Sequence, residues 1–355
     1  MEPTDIFDLL KNQAEKAILN ALSSDGIAER EIKAVTESVV VESSQRLSSM
    51  LKENSPEMLA NERKLNKGFV ERCYCRWKTP IDLLKVIMTV CRELSECHAH
   101  NGPRSIDLTV FDALAHLQPK ALLIASEILW LLEGGYADAA LARWRTLHEV
   151  VVTAMFIAKN GPETARDYRY SEVFASQRDA SEVNSHAKRA NLQRFTEVEM
   201  NKMDSDCKVA EASIGRKLTN DFDWASPALK RSGETERATF KNIEKSVGMD
   251  HWRPRYRRAC QHIHAGFTHP QSLLGMAEAK KMMFQVGPSN SGFVDPLHMT
   301  SISLHQITST FLLFGDPDIG RIVCSKVIGH LVDELGTLSV AVAKETPEVP
   351  DQKES

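Results

Sequence analysis

Apolar side chains recur at intervals of three to four residues along most of the chain, and this periodicity restricts the possible fold more than any other feature of the sequence. Runs in which polar and apolar residues alternate between turn signals, as strands require, are almost absent. The segment from about Thr4 to Leu22 is typical, because it places its apolar residues on one stripe of a helix. These residues are Ile6, Leu9, Leu10, Ala14, Ala17, Ile18 and Ala21. The pattern predicts an all-α fold.

The first 76 residues are predicted to form a charged helical arm. After the helix at about 4–22, a second helix is expected at about 27–52 and a third at about 55–72, where Ser55-Pro56-Glu57 is a helix start signal. Both helices are heavily charged and carry only a narrow apolar stripe, so little of their surface can enter a core. We therefore expect residues 1–76 to be an N-terminal arm and a candidate binding region for a protein partner.

The apolar content rises after Thr79-Pro80, and residues 77–345 are predicted to form the main helical domain. Its helices are expected at about 80–99, 106–116, 119–133, 137–159, 162–190, 253–265, 295–314 and 317–343. Residues 204–250 are a polar excursion with few apolar anchors. Residues 346–355 are expected to be a disordered tail, because they have almost nothing to bury.

Charge, cysteine content and hydropathy exclude several classes of protein. The formal net charge of −4 is unsuitable for coating nucleic acid by bulk electrostatics, so any contact with RNA needs a local basic surface. The 7 cysteines lack the two-residue gap of paired zinc ligands and no phosphate-binding glycine loop is present, so we expect neither a metal nor a cofactor. The longest apolar run, from Ala121 to Leu132, is shorter than the roughly 20 residues that span a bilayer. Without a secretory signal at its start, the chain is expected to be cytoplasmic and to have no membrane partner.

The stretch from Arg253 to Gly266 is the strongest candidate for a chemical role, because four arginines run into two histidines. Arginine can hold a phosphate through two parallel hydrogen bonds, and histidine titrates near neutral pH. A helix at 253–265, with Pro254 in its first turn, would place Arg257 and His264 on one stripe and Arg258 and His262 on the next. Such a helix could bind a phosphodiester and move its protons without a metal.

This arrangement resembles a known motif. An arginine separated from a histidine by four to six residues, on a late helix of an all-α domain, is similar to the ribonuclease motif of the HEPN superfamily. Arg257-x4-His262, Arg258-x5-His264 and Arg257-x6-His264 all satisfy it. The segment Ala142-Arg143-Trp144-Arg145-Thr146-Leu147-His148-Glu149, together with Tyr256, Cys260 and His264, resembles the bacterial HEPN-like family DUF5677. The similarity covers roughly residues 105–340.

The resemblance implies a HEPN-like helical bundle that pairs into a homodimer, with the two Arg/His helices facing each other across a cleft. It also implies metal-independent RNA cleavage linked to phage defence or toxin activity. In this assignment His264 is the general acid or base and Arg257 or Arg258 stabilises the phosphate, with His262 as a further catalytic candidate. The chain departs from the superfamily pattern after the arginine, where Arg258 or Ala259 replaces the common small polar or acidic residue.

Other polar residues near this motif are predicted to bind or orient the substrate. Arg145 and Glu149 lie one turn apart in an otherwise apolar helix, where an unpaired charge is costly, so they are expected to pair with each other or with the Arg/His helix. Arg253, Arg255 and Tyr256 complete the set of candidate substrate-binding residues. The alternative is a non-catalytic helical scaffold or sensor, which binds a protein partner, a nucleotide or RNA.

Overall fold

The computed structural model describes residues 12, 15–16, 29–101, 107–233, 237–279, 284–315 and 317–345. Within these residues every regular element is a helix and no strand occurs, which confirms the predicted all-α class. The predicted helix at 4–22 and the tail at 346–355 lie outside the described residues, apart from three positions of the former.

Ten α-helices occupy the described residues. They are α1 (Glu29–Asn101), α2 (Leu108–Glu133), α3 (Ala137–Asn160), α4 (Pro162–Ala190), α5 (Glu197–Ile214), α6 (Ser226–Arg231), α7 (Phe240–Ser246), α8 (Arg253–Gln261), α9 (Val294–Leu312) and α10 (Ile319–Lys344). Short 3₁₀ turns at Asp223–Ala225, Asp250–Trp252, Pro270–Ser272 and Leu274–Met276 join some of them. The predicted starts near 137 and 162 agree with those of α3 and α4.

The breaks predicted before Pro56, Pro80 and Pro119 were wrong, because α1 and α2 continue through these prolines. Proline removes one backbone donor, which leaves the carbonyl four residues earlier without its helical partner. At Pro56 that carbonyl belongs to Lys52, and the hydroxyl of Ser55 donates to it at 2.8 Å. A neighbouring side chain thus replaces the missing bond, and a sequence pattern that treats proline as a stop signal overlooks this replacement.

The structure divides into two compact units, Met1–Glu71 and Arg72–Ser355. In the described part of the first unit, large apolar side chains are exposed. In the second unit, α3 packs against α2, α7, α8 and α9, and α9 packs against α10. The indole of Trp144 on α3 is buried and donates to the carbonyl of Met299 at 3.1 Å and to Ser303 Oγ at 3.0 Å. The helix α3 is therefore the central element of this core, and it fixes the position of α8.

Helices α9 and α10 approach each other closely at Gly336. A Cβ atom at this position would lie 2.6 Å from Nε2 of His298, so the ring of His298 occupies the space that a side chain at 336 would need. No helix in the part of the chain that the structure describes combines the length and apolarity needed to cross a bilayer.

Candidate functional site

The Arg/His helix is shorter than predicted. Helix α8 ends at Gln261 instead of Ala265, and the amides of His262 and His264 form turn bonds of 3.2 Å with the carbonyls of Ala259 and Cys260. His264 therefore lies in the loop after the helix, and the predicted stripe that joins it to Arg257 does not form. The helix ends where the side chain of His262 enters the interior, with 8% of its surface exposed.

Helix α8 has two faces of different character. Tyr256 and Ala259 are buried against α3, while Arg255, Arg257 and Arg258 are exposed. The inner face is held by two acidic residues outside the helix, Glu149 on α3 and Glu244 on α7.

Glu149 is the first anchor. The Tyr256 hydroxyl donates to its carboxylate at 2.5 Å, and the Arg145 guanidinium forms an ion pair with it at 3.0 Å. Arg145 also lies over the Tyr256 ring, 4.9 Å from its centroid, and donates to Cys260 Sγ at 3.2 Å. Burial and the hydrogen bond to Glu149 raise the pKa of Tyr256, so the phenol stays neutral and acts as a donor. Arg145 and Glu149 thus pair with each other and with the Arg/His helix, as expected for two charged residues in an otherwise apolar helix.

Glu244 is the second anchor, and sequence reasoning missed it. Its side chain is fully buried, lies 2.8 Å from Nε2 of the buried His148 and forms an ion pair with Arg253. The Arg253 guanidinium also lies over the rings of Phe240 and Tyr256, 5.5 and 5.0 Å from their centroids. Glu244 lies in the polar segment 204–250, where a glutamate gives no indication that it is buried. The available signal was its position four residues after Phe240, which places both on one face of a short helix.

The two anchors, Glu149 and Glu244, contact side chains that were predicted to bind substrate. Arg145, Arg253 and Tyr256 are engaged with protein partners, so they position α8. Arg255 is more exposed, lies 3.9 Å from Asp295 and stacks over Trp252 at 5.3 Å. Only the outer face retains arginines with freedom to meet a ligand.

That outer face carries Arg257 and Arg258, and the exposed His264 follows it in the loop. One terminal nitrogen of Arg258 donates weakly to the carbonyl of Ser272 at 3.4 Å. Neither Arg257 nor His264 forms an ion pair or a side-chain hydrogen bond with the residues that the structure describes.

His262 occupies a different environment from His264. Its Nδ1 lies 3.5 Å from Asp138, whose carboxylate also accepts the amides of Leu274 and Gly275 at 2.7 and 2.9 Å. Burial lowers the pKa of His262, and Arg258 adds to this effect while Asp138 opposes it. Nε2 of His262 is buried and has no hydrogen-bond partner among the described residues. The structure therefore separates the two predicted histidines, one facing Asp138 and one facing solvent.

No group of three or more potential metal ligands was found among the described residues. Residues 111–282 match the model of a family of unknown function, DUF5677, over a segment that includes α3, α7, α8 and both anchors. The predicted similarity to this family is confirmed over those residues. No curated protein and no solved structure matches the chain.

Proposed function

We propose that this DUF5677-like chain is a metal-independent endoribonuclease of the HEPN-like type found in bacterial defence and toxin systems. The observation that carries the proposal is the division of α8 into two faces. Its inner face is anchored to Glu149 and Glu244, while Arg257 and His264 are exposed and form no ion pair or side-chain hydrogen bond with the residues that the structure describes. Arginine is a permanent cation that can hold a phosphate, and histidine can give or take a proton, so these two residue types suit a phosphodiester.

Arg257 and Arg258 would hold the phosphate oxygens and stabilise the charge that develops on them. His264 would act as general base on the RNA 2′-hydroxyl or as general acid toward the leaving oxygen. Because the chain has a formal net charge of −4, affinity for RNA would come from this local surface and would fall as salt concentration rises.

The second acid or base would come from another chain. His262 faces Asp138 and its Nε2 is buried, so it is poorly placed to receive a substrate proton. A homodimer in which two α8 helices face each other would bring the partner subunit's histidine to the same phosphate. In this arrangement His262 acts as a positioning residue that fixes the end of α8.

Incubation of wild-type protein with a mixed RNA pool in EDTA tests the proposal. We expect cleavage that leaves 2′,3′-cyclic phosphate ends, because the 2′-oxygen attacks the adjacent phosphorus. His264→Ala should lower the cleavage rate by about 100-fold or more, as expected for the loss of a general acid or base. Arg257→Ala should also lower it, through lost stabilisation of the phosphate charge.

His186→Ala is the matched control, because His186 is an exposed histidine on α4 and its loss should leave the rate unchanged. Circular dichroism would verify that each variant keeps its helical content. Undiminished cleavage by His264→Ala, or cleavage by the wild type only with a divalent metal, would contradict the proposal.

A non-catalytic scaffold is the second candidate, and exposed apolar side chains in the first unit favour it. Leu51, Met58 and Leu65 are spaced by seven residues on α1 and are 47%, 57% and 75% exposed. A repeat of seven is typical of helices that pair with another helix. Under this alternative, wild-type and His264→Ala proteins would both leave RNA intact, and this first unit would bind a protein partner.

A further inference from the structure

A second candidate binding surface lies away from α8. An open groove of about 1100 Å³ runs between the end of α3 and the facing sides of α9 and α10, and no residue of α8 lines it. Its volume slightly exceeds the roughly 300–1,000 Å³ of most small-molecule sites, so a small ligand would fill only part of it.

The groove has an apolar wall and a polar rim. Its apolar lining comes from all three helices and the turn after α9, and includes Met155, Ile302, Leu313, Phe314 and Val332. These side chains offer a surface against which an apolar group can pack and lose contact with water.

The polar lining has an excess of groups that can carry positive charge. Among the residues that the structure describes, Lys159, Lys326 and His330 line the groove together with one carboxylate, that of Asp333. Lys159 donates to the carbonyl of Ser246. Lys326 and His330 lie one turn apart on α10, are exposed, and form no ion pair or side-chain hydrogen bond with the residues described. This rim is complementary to an anion, although the chain as a whole is negatively charged.

Gly329 lies between these two residues and makes room for the ring of His305. A Cβ at position 329 would lie 3.2 Å from Cε1 of His305, so a larger residue would press on the ring. Glycine inside a helix costs about 1 kcal/mol relative to alanine. Burial lowers the pKa of His305, which favours the neutral ring with one nitrogen as donor and one as acceptor. The ring forms a hydrogen bond with the backbone of Ser325, which leaves one nitrogen that can bond to a ligand in the groove.

We infer that this groove binds a small anionic molecule with an apolar body, such as a carboxylate or a phosphate ester of an apolar group. The anionic group lies between Lys326 and His330, and the apolar body packs on Ile302, Leu313 and Phe314. The inference does not depend on RNA cleavage, because the two surfaces share no residue.

Isothermal titration calorimetry of the full chain with octanoate, octyl phosphate and octanol tests this assignment. We expect at least one of the two anions to bind, and octanol, which has the same apolar body without charge, to bind at least tenfold more weakly. The comparison of the two anions identifies which anionic group the rim prefers.

Lys326→Glu and His330→Ala should each weaken anion binding, the former by at least tenfold because it reverses a charge at the rim. Lys188→Glu is the matched control, since this exposed lysine lies at the end of α4, and it should bind like the wild type. The inference is overturned by the absence of binding of both anions, by equal affinity for octanol, or by unchanged affinity in Lys326→Glu and His330→Ala with retained helical content.

Discussion

At the scale of single residues, the main feature around α8 is a buried ion-pair cluster. Glu244 is fully buried and contacts both His148 and Arg253, so its carboxylate compensates for the desolvation of groups on two other helices. Removal of one member of such a cluster is costly, because the remaining members stay buried without a partner.

Glu244→Ala is expected to lower the free energy of unfolding by about 3–5 kcal/mol, because it leaves Arg253 and His148 without their carboxylate. Urea denaturation followed by circular dichroism measures the change as a shift of the midpoint. Glu182→Ala is the control, since Glu182 forms an exposed pair with His186 and should have little effect. Equal midpoints for the two variants would show that Glu244 does not stabilise the fold.

The sequence predicts contacts within one helix better than contacts between residues that are far apart along the chain. The pair formed by Arg145 and Glu149 follows from their spacing on one helix. The contact of Glu244 with His148 joins residues that are 96 positions apart, and no local pattern encodes it. The different exposures of His262 and His264 depend on where α8 ends, and at that end His262 contacts Asp138, which is distant in sequence on α3.

At the scale of elements, the periodicity of apolar residues located α3, α4, α9 and α10, and turn residues located several ends. It did not predict α5, α6 or α7, which lie in or beside the segment 204–250 that was expected to be a polar excursion. The start of α4 at Pro162 follows Gly161, whose φ of 82° is readily adopted only by glycine. Proline inside a helix was the main source of error, since its effect depends on whether the freed carbonyl finds another donor. At Lys52 it finds Ser55.

The crossing of α9 and α10 is expected to be sensitive at one position. Gly336→Ala should destabilise the fold by about 1–3 kcal/mol, because its Cβ would overlap the ring of His298 and force the helices apart. Differential scanning calorimetry would record a lower Tm.

Gly320→Ala on the same helix is the control. A Cβ at this position would lie 3.1 Å from the exposed N-cap carboxylate of Asp318, which can move into solvent, so alanine should change stability less than Gly336→Ala does. If Tm falls by the same amount in both variants, the cause is the alanine substitution within the helix and not the contact between α9 and α10.

At the scale of the whole molecule, burial lowers the pKa of four histidines, one on α1, one at the end of α8 and two on α9. They are His98, His262, His298 and His305. Each is therefore more readily protonated in the unfolded chain, where its pKa is near 6.5, than in the folded one. Above that pH both states are neutral at these sites, and below it protons favour the unfolded chain.

The free energy of unfolding is thus expected to fall as pH decreases from about 7.5 to 5, with the loss starting near the unfolded-state pKa of 6.5. Urea midpoints across this range measure the slope. Three carboxylates, those of Glu199, Asp223 and Asp318, have a lowered pKa. Their contribution to the free energy of unfolding is lost only at lower pH, so the change between about pH 7.5 and 5 comes largely from histidine.

His98→Gln provides the comparison, because His98 packs between the rings of Phe111 and Phe311 and its pKa is lowered mainly by burial, with Arg321 adding to the effect and Asp318 opposing it. Its pH slope should be smaller than that of the wild type. A wild-type midpoint that stays constant or rises between pH 7 and 5 would contradict the expected direction.

The double anchoring of α8 also has an entropic consequence. Glu149 and Glu244 fix the backbone of this helix before any ligand arrives, so binding on its outer face would restrict mainly the long side chains of Arg257 and Arg258. Immobilising such a side chain costs about 0.5–1.5 kcal/mol, whereas ordering a flexible segment would add a cost for every residue of its backbone. The helix is in this sense preorganised, and most of the free energy of its contacts remains available as affinity.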